Sequence, residues 1–256
     1  MTNLIFLFFF ISLLILLFYN YSNNHINILN KNELLDLLLA NSDNYYDKFE
    51  KRDLIVRNVN NIEEYKLKIR ESVCEPPISI KNKLKKTIIN ANKKLLLFKE
   101  KYKHFNNVDI NKLYNIQWKI GLICNNNYEN GLPHTRNDVI IISLKTIYDN
   151  SIESLSKTLI HEKVHIYQKK YENDLSLYLK NNNFTKVKTV DEKDDIRANP
   201  DTDNNIYIDN KNRIYQAKYL PNAIDIQDVE MYNNDQKYEH PFELMAIELS
   251  DEIFIH

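Results

Sequence analysis

"TLIHEKVHIYQ", Thr158 to Gln168, carries His161, Glu162 and His165 in the spacing H-E-x-x-H. On a helix, residues four apart lie about 40° apart around the axis, so the two imidazoles stack on one face and converge. Two neutral imidazoles placed in this way can hold one tetrahedral zinc ion. Glu162 falls about 100° away, beside such an ion and not on it, where it could take a proton from a water. Thr158 and Ser154 extend the histidine face, with Leu155, Leu159 and Ile166 on one flank and Ile160, Val164 and Tyr167 on the other. The wheel therefore predicts a helix buried on both sides of a polar stripe at a cleft floor. Composition alone would yield the pattern on the order of 0.01 times in a chain of this length. Chance is a poor explanation.

A catalytic zinc site needs a third protein ligand and leaves a fourth position open. The extended pattern H-E-x-x-H-x-x-G-x-x-H does not supply it, because Gln168 stands where that pattern needs Gly and Tyr171 where it needs His. The ligand must come from farther along the chain. In the closing stretch "HPFELMAIELSDEIF", Phe242, Met245, Ala246, Leu249 and Ile253 form a core stripe, while Leu244, Glu248, Asp251 and Glu252 mostly face water. Glu243 belongs to neither set; its neighbours on the wheel are Ile247, Ser250 and Phe254, and a carboxylate among apolar neighbours wants a cation. Its other reading is a first-turn acid complementing the helix dipole. Glu239, His240 and His134 remain alternative ligands.

Working outward, "NIQWKIGLIC" and "DVIIIS" read as short strands separated by the turn-rich "NNNYENGLPHTRN". A helix is predicted from about Ser151 with Asn150 as N-cap and Glu153 as its capping-box partner. The runs "NIYI" and "RIYQAKYL" read as a hairpin around a four-residue turn. Upstream, "IEEYKLKIRESV" is a helix ending before Pro76-Pro77, and from Ser79 to His104 the residues Leu84, Ile88, Ala91, Leu95, Phe98 and Tyr102 mark a long packed helix with lysines on its other faces.

At the N-terminus, Leu4 to Tyr19 is almost wholly apolar, about 24 Å as a helix. No basic residue precedes it, and no small-x-small cleavage site follows. We read residues 1–22 as an uncleaved transmembrane anchor, 23–105 as a helical N-terminal region and 106–256 as the catalytic region. The expected localisation is a single-pass membrane protein, with the membrane as one partner.

The chain has 256 residues, with Lys+Arg 34 against Asp+Glu 35, so nothing in its charge suggests nucleic acid as a partner. Gly occurs only twice, which excludes the glycine-rich phosphate loops of nucleotide enzymes. Two cysteines, Cys74 and Cys124, either pair in an oxidising compartment or stay apart as small buried residues. Asn183-Phe184-Thr185 is a glycosylation acceptor sequence of a kind that also arises by chance in an Asn-rich chain.

With "HEKVH" and "HPFELMA" both in place, the chain resembles the gluzincin metallopeptidases, over roughly residues 110 to 256. It is also similar to metallopeptidase-like proteins of large DNA viruses. The resemblance implies an α+β, zincin-like fold, mostly helical, with a small mixed sheet ahead of the motif helix and "DVIIIS" as the edge strand. It implies Zn2+ at His161, His165 and Glu243, Glu162 as general base and proton shuttle, and a peptide or protein substrate that adds to the edge as a further strand. The stretch between His165 and Glu243 is longer than in compact members. His134, Arg213 and Tyr215 are candidates for stabilising the oxyanion. The competing expectation is a membrane-tethered structural or interaction protein, such as a virion component, that holds zinc without hydrolysing anything.

Overall fold

The computed structural model describes residues 26–189, 195–232 and 238–255. Strand β1 (Ile26–Ile28) leads into helix α1 (Lys31–Ala40). The start of α1 is fixed by a capping box: Asn30 accepts from the N–H groups of Asn32 and Glu33, and Glu33 accepts from Asn30 N–H. Helices α2 (Lys51–Val56) and α3 (Ile62–Ser72) follow. Pro77 then caps the long α4 (Ile78–Lys101). The expected stripe on α4 is buried at Leu84, Ile88, Ala91, Leu95 and Phe98.

A short ladder of β2 (His104–Phe105) and β3 (Val108–Asp109) opens onto α5 (Ile110–Asn115) and then β4 (Trp118–Ile123). Next come β5 (His134–Arg136), β6 (Val139–Ser143), α6 (Leu144–Asp149) and the motif helix α7 (Ile152–Lys170). After α8 (Glu172–Asn181), strands β7 (Thr185–Thr189), β8 (Asn205–Ile208) and β9 (Ile214–Tyr215) form one small sheet. Strands β10 (Ala217–Tyr219) and β11 (Val229–Met231) form another, and α9 (Pro241–Ile255) closes the fold.

The main sheet has the order β1-β4-β6-β5. Its first three strands are parallel, and β5 joins β6 antiparallel. Parallel strands covered on both faces read as continuous apolar runs, and all five residues of β6 are buried. On one face Ile120, Leu122, Ile140 and Ile142 join the cluster built by α4, α7 and α9. On the other, Ile123, Val139 and Ile141 pack with Leu34 and Leu38 of α1 and with Tyr65 and Ile69 of α3. Gly121 of β4 marks how closely α1 lies on the sheet, since a Cβ there would meet Leu34 Cδ1 at 2.5 Å.

Several expectations are corrected by this arrangement. The architecture is α/β, with nine α-helices and four sheets among the described residues, and not a mostly helical α+β fold with one small sheet ahead of the motif helix. Helices cover both faces of a largely parallel sheet, and its N-terminal strand comes from the Asn-rich stretch at the start of the region read as helical. "DVIIIS" is interior to the sheet, so the edge strand is β5. The hairpin turn between β8 and β9 is longer than expected, residues 209–213, because Asp209 gathers the N–H groups of Lys211 and Arg213 and the Arg213 guanidinium.

The membrane reading is corrected as well. Among the described residues no helix is long and apolar enough to cross a membrane. The longest, α4, carries Lys81, Lys83, Lys85, Lys86, Lys93 and Lys94 around its apolar stripe. The apolar segment Leu4 to Tyr19, on which a transmembrane, single-pass localisation was expected, lies outside the described residues.

Cys74, just after α3, and Cys124, just after β4, form a disulfide with Cα atoms 5.8 Å apart. It closes a 50-residue separation and pins the α3 layer to the sheet. Replacing both cysteines with serine is expected to lower the unfolding free energy by about 2–4 kcal/mol, read from denaturant midpoints. Alkylation of the unreduced, denatured protein should modify neither cysteine; labelling of both would show that the bond is absent.

Candidate metal centre

Helix α7 begins one residue later than its sequence suggests. Ser151 is the N-cap and accepts from Ser154 N–H at 3.1 Å, while Asn150 instead donates to Thr146 O at the end of α6. Both are good capping residues, and α6 claims the first. Leu155, Leu159, Ile160, Val164, Ile166 and Tyr167 are all buried. Lys163 is buried too, its Nζ donating to Tyr114 O at 3.1 Å and lying 4.0 Å from the centre of the Trp118 ring. The helix is thus clamped around nearly its whole girth, and the histidine face is the side that opens.

His161 Nε2 and His165 Nε2 lie 3.1 Å apart, with their rings at 76°. Glu243, in the first turn of α9, places Oε2 at 3.3 Å from His161 Nε2 and 3.5 Å from His165 Nε2. Donor atoms around a tetrahedral ion with bonds of about 2.0–2.1 Å are separated by about 3.3 Å. The three atoms therefore stand at the mutual spacing of three corners of such a site. His161 and Glu243 keep 21% and 17% of their side chains exposed, whereas His165 is wholly covered, so the open corner faces the cleft.

Glu162 is buried beside the trio, and its Oε2 has no hydrogen-bond partner. Burial, reinforced by the neighbouring Asp201 and Glu243 carboxylates, pushes its carboxyl well above the usual range. Glu243 moves the other way: burial opposes ionisation, but His165 and His161 hold it well below its ordinary value. Burial likewise opposes a charge on His165, yet Glu243 and Asp201 bring it up to about 10. Three carboxylates around two imidazoles make a site that attracts positive charge, as protons or as a metal cation. The donor set and its spacing fit zinc.

The other ligand candidates are directed elsewhere. Glu239 accepts from Arg197 and from Asn199 Nδ2. His240 Nδ1 accepts from Phe242 N–H, and its Nε2 lies 3.3 Å from Asp203. His134 lines the same cavity as His161 and Glu243, but Nδ1 faces Leu132 O at 2.9 Å and Nε2 faces Tyr128 Oη at 3.3 Å, so both nitrogens are engaged. Arg213 pairs with Asp209, and Tyr215 sits in the main core; neither lines that cavity.

Residues that the sequence reading did not single out complete the site. Asn199 donates to Glu243 Oε1 at 3.1 Å, which leaves Oε2 for the imidazoles. Ala198 N–H donates to Asp53, which also receives Arg57 and Tyr219. Arg57 in turn places Nε and Nη2 at 2.9 Å from the two oxygens of Glu129, where Tyr45 and Tyr65 also donate. Helix α2 and its flanks thus hold the 197–201 segment that orients Glu243. That segment separates a cavity of about 170 Å³ containing His161, Glu162 and Glu243 from a second of about 350 Å³.

Strand β5 also differs from the expected substrate edge. Thr135 N–H donates to Asp201 Oδ1 at 2.8 Å and Thr135 O accepts from Lys169 Nζ at 3.0 Å. The outward-facing groups of the central β5 residue are therefore taken by the chain's own side chains, and an added strand could not pair there without displacing Asp201.

Compared with protein-family models, with curated proteins and with solved structures, the chain matches none of them.

The Arg57–Glu129 pair sets an acid limit on this architecture. Burial opposes ionisation of Glu129, but Arg57 outweighs it and holds the carboxyl at about 2. A value depressed from about 4.5 in the unfolded chain contributes stability that is complete above that pH and is lost as pH falls through about 2, roughly 3 kcal/mol in size. Glu129→Gln should therefore destabilise the protein by that order at pH 7, with the gap to wild type narrowing from pH 5 to pH 2 in denaturant titrations. A gap independent of pH would refute the assignment.

Proposed function

We propose that this protein is a zinc-dependent peptidase whose ion is held by His161, His165 and Glu243, the ligand set of the gluzincins, with Glu162 as general base. The observation that carries the reading is the convergence of three donor atoms at tetrahedral spacing beside a buried carboxylate oxygen with no partner.

Bound there, zinc would act as a Lewis acid, polarising a scissile carbonyl and making a water easier to deprotonate. Glu162 accepts that water's proton as the oxygen adds to the carbonyl carbon. It then returns the proton to the amine nitrogen as the C–N bond breaks. Glu162 is placed for both steps by its position, buried beside the trio with an Oε2 that has no partner of its own. Asn199 keeps Glu243 turned toward the imidazoles, and the clamped α7 holds the two histidines in register with it.

Elemental analysis of the purified protein is expected to find about one zinc per chain, lost in His161→Ala. If native protein contains none, and added zinc neither binds nor raises the melting temperature, the reading is wrong. Glu162→Gln preserves shape but cannot take a proton, so zinc should stay while turnover of a mixed peptide library falls at least about 100-fold. Undiminished turnover in that variant would exclude Glu162 as the base. Wild-type protein that holds zinc but cleaves no peptide would point to a metal-holding protein without hydrolytic activity. Glu243→Ala should instead weaken zinc affinity itself, with activity partly restored at high zinc; wild-type affinity there would place the third ligand elsewhere.

A further inference from the structure

Gln168 interrupts the extended zinc motif, yet it is buried to 1% exposure, and its amide is engaged at both ends. Its Nε2 donates to Phe242 O at 2.8 Å. A main-chain carbonyl only accepts, so this contact fixes which end of the amide is nitrogen. The oxygen therefore faces His165, where Oε1 lies 2.9 Å from Nδ1. Since Oε1 can only accept, Nδ1 carries a hydrogen and donates it. With Nδ1 committed to Gln168, the lone pair that His165 would offer a metal is that of Nε2, which lies 3.1 Å from His161 Nε2 and 3.5 Å from Glu243 Oε2. Phe242 is the residue before Glu243, so the same side chain that orients one ligand also grips the backbone that carries another.

We infer that Gln168 is a positioning residue for metal binding: read off Phe242 O, its amide fixes His165 in the form that ligates through Nε2 and couples α7 to the start of α9. The inference rests on the zinc reading above. A hydrogen-bond acceptor behind a ligating imidazole orients the ring and raises its basicity, and loss of such a partner typically weakens metal affinity about 10- to 100-fold.

Two substitutions separate this role from a simple tie between helices. Gln168→Leu keeps the approximate volume and removes both contacts. Gln168→Glu keeps an acceptor for His165 Nδ1–H but loses the donor to Phe242 O. Both should lower the melting temperature through the lost tie. Zinc affinity, measured by competition with a chromophoric chelator, should fall about 10- to 100-fold in Gln168→Leu and stay at or above the wild-type level in Gln168→Glu. Equal loss in both variants, or none in Gln168→Leu, would overturn the inference. Should Gln168→Leu fail to fold, the zinc-loaded wild type still decides the matter. A long-range 1H–15N spectrum must show His165 protonated at Nδ1 and ligating through Nε2, and ligation through Nδ1 overturns the proposal. Wild-type protein that binds no zinc at all is a different result: it removes the peptidase reading itself, and this inference with it.

Discussion

The site depends on one carboxylate, Glu243, being held against two imidazoles that belong to a helix far earlier in the chain. A buried charge of this kind is costly unless it is paired and hydrogen-bonded. Here one oxygen meets His161 and His165 and the other accepts from Asn199. Asn199 is placed in turn by its neighbour Ala198, whose N–H rests on Asp53, and by Arg197, paired with Glu239. Arg57 and Glu129 anchor the far end. A chain of polar contacts therefore runs from the N-terminal helices to Glu243. Removing one member of such a buried network strands its partners, which costs far more than an exposed ion pair is worth.

The same segment settles a second problem. A sheet edge exposes unpaired N–H and C=O groups and invites other strands. At β5 those of Thr135 are satisfied by Asp201 and Lys169. Asp201 lies close enough to group with Glu162 and His165 as a cluster of possible ligand atoms. Edge protection and the electrostatics of the buried Glu162 carboxyl are thus joined in one aspartate, whose charge adds to the burial that favours protonated Glu162.

What could be read from the sequence follows from physics that acts locally. The motif helix and the α4 stripe are legible because a period near 3.6 survives whatever the helix packs on. Glu243 is legible because an acid on an otherwise apolar arc has few reasons to be there. The sheet was harder to read. Strands buried on both faces lose the alternation that marks a strand, and "WKIGLI" and "VIIIS" look alike whether central or at an edge. β1, three residues long among asparagines, offers no pattern. The pairing of Cys74 with Cys124 depends on how α3 meets the sheet, which spacing does not encode. Asn199 and Asp201 lie in a polar stretch with turn composition, and their roles exist only once the chain has folded back across β5. Gln168 was visible solely as a departure from a longer motif, and its amide acquires meaning only when Phe242 O is beside it.

Lys163, in the middle of the motif, shows how firmly α7 is set. It points away from the site into the core, where burial alone pushes its amine well below the ordinary value. Burying a lysine costs several kcal/mol if it stays charged, less if it gives up its proton. The Tyr114 carbonyl offsets part of that cost in either state, and the Trp118 ring adds to that offset while the amine is charged. A leucine would fill such a place more cheaply, but it would not hydrogen-bond to a fixed carbonyl. The lysine thus adds a directional contact on the face opposite the histidines, as Tyr167 does through Asp109 N–H and the Asp174 carboxylate. Dispersion and burial hold a helix against a core but leave it free to rotate or slide a little at low cost. Directional bonds on the back face remove that freedom. With Gln168 bonded across to α9, they fix the angle at which His161 and His165 meet Glu243, the quantity on which a three-ligand site with one open corner depends.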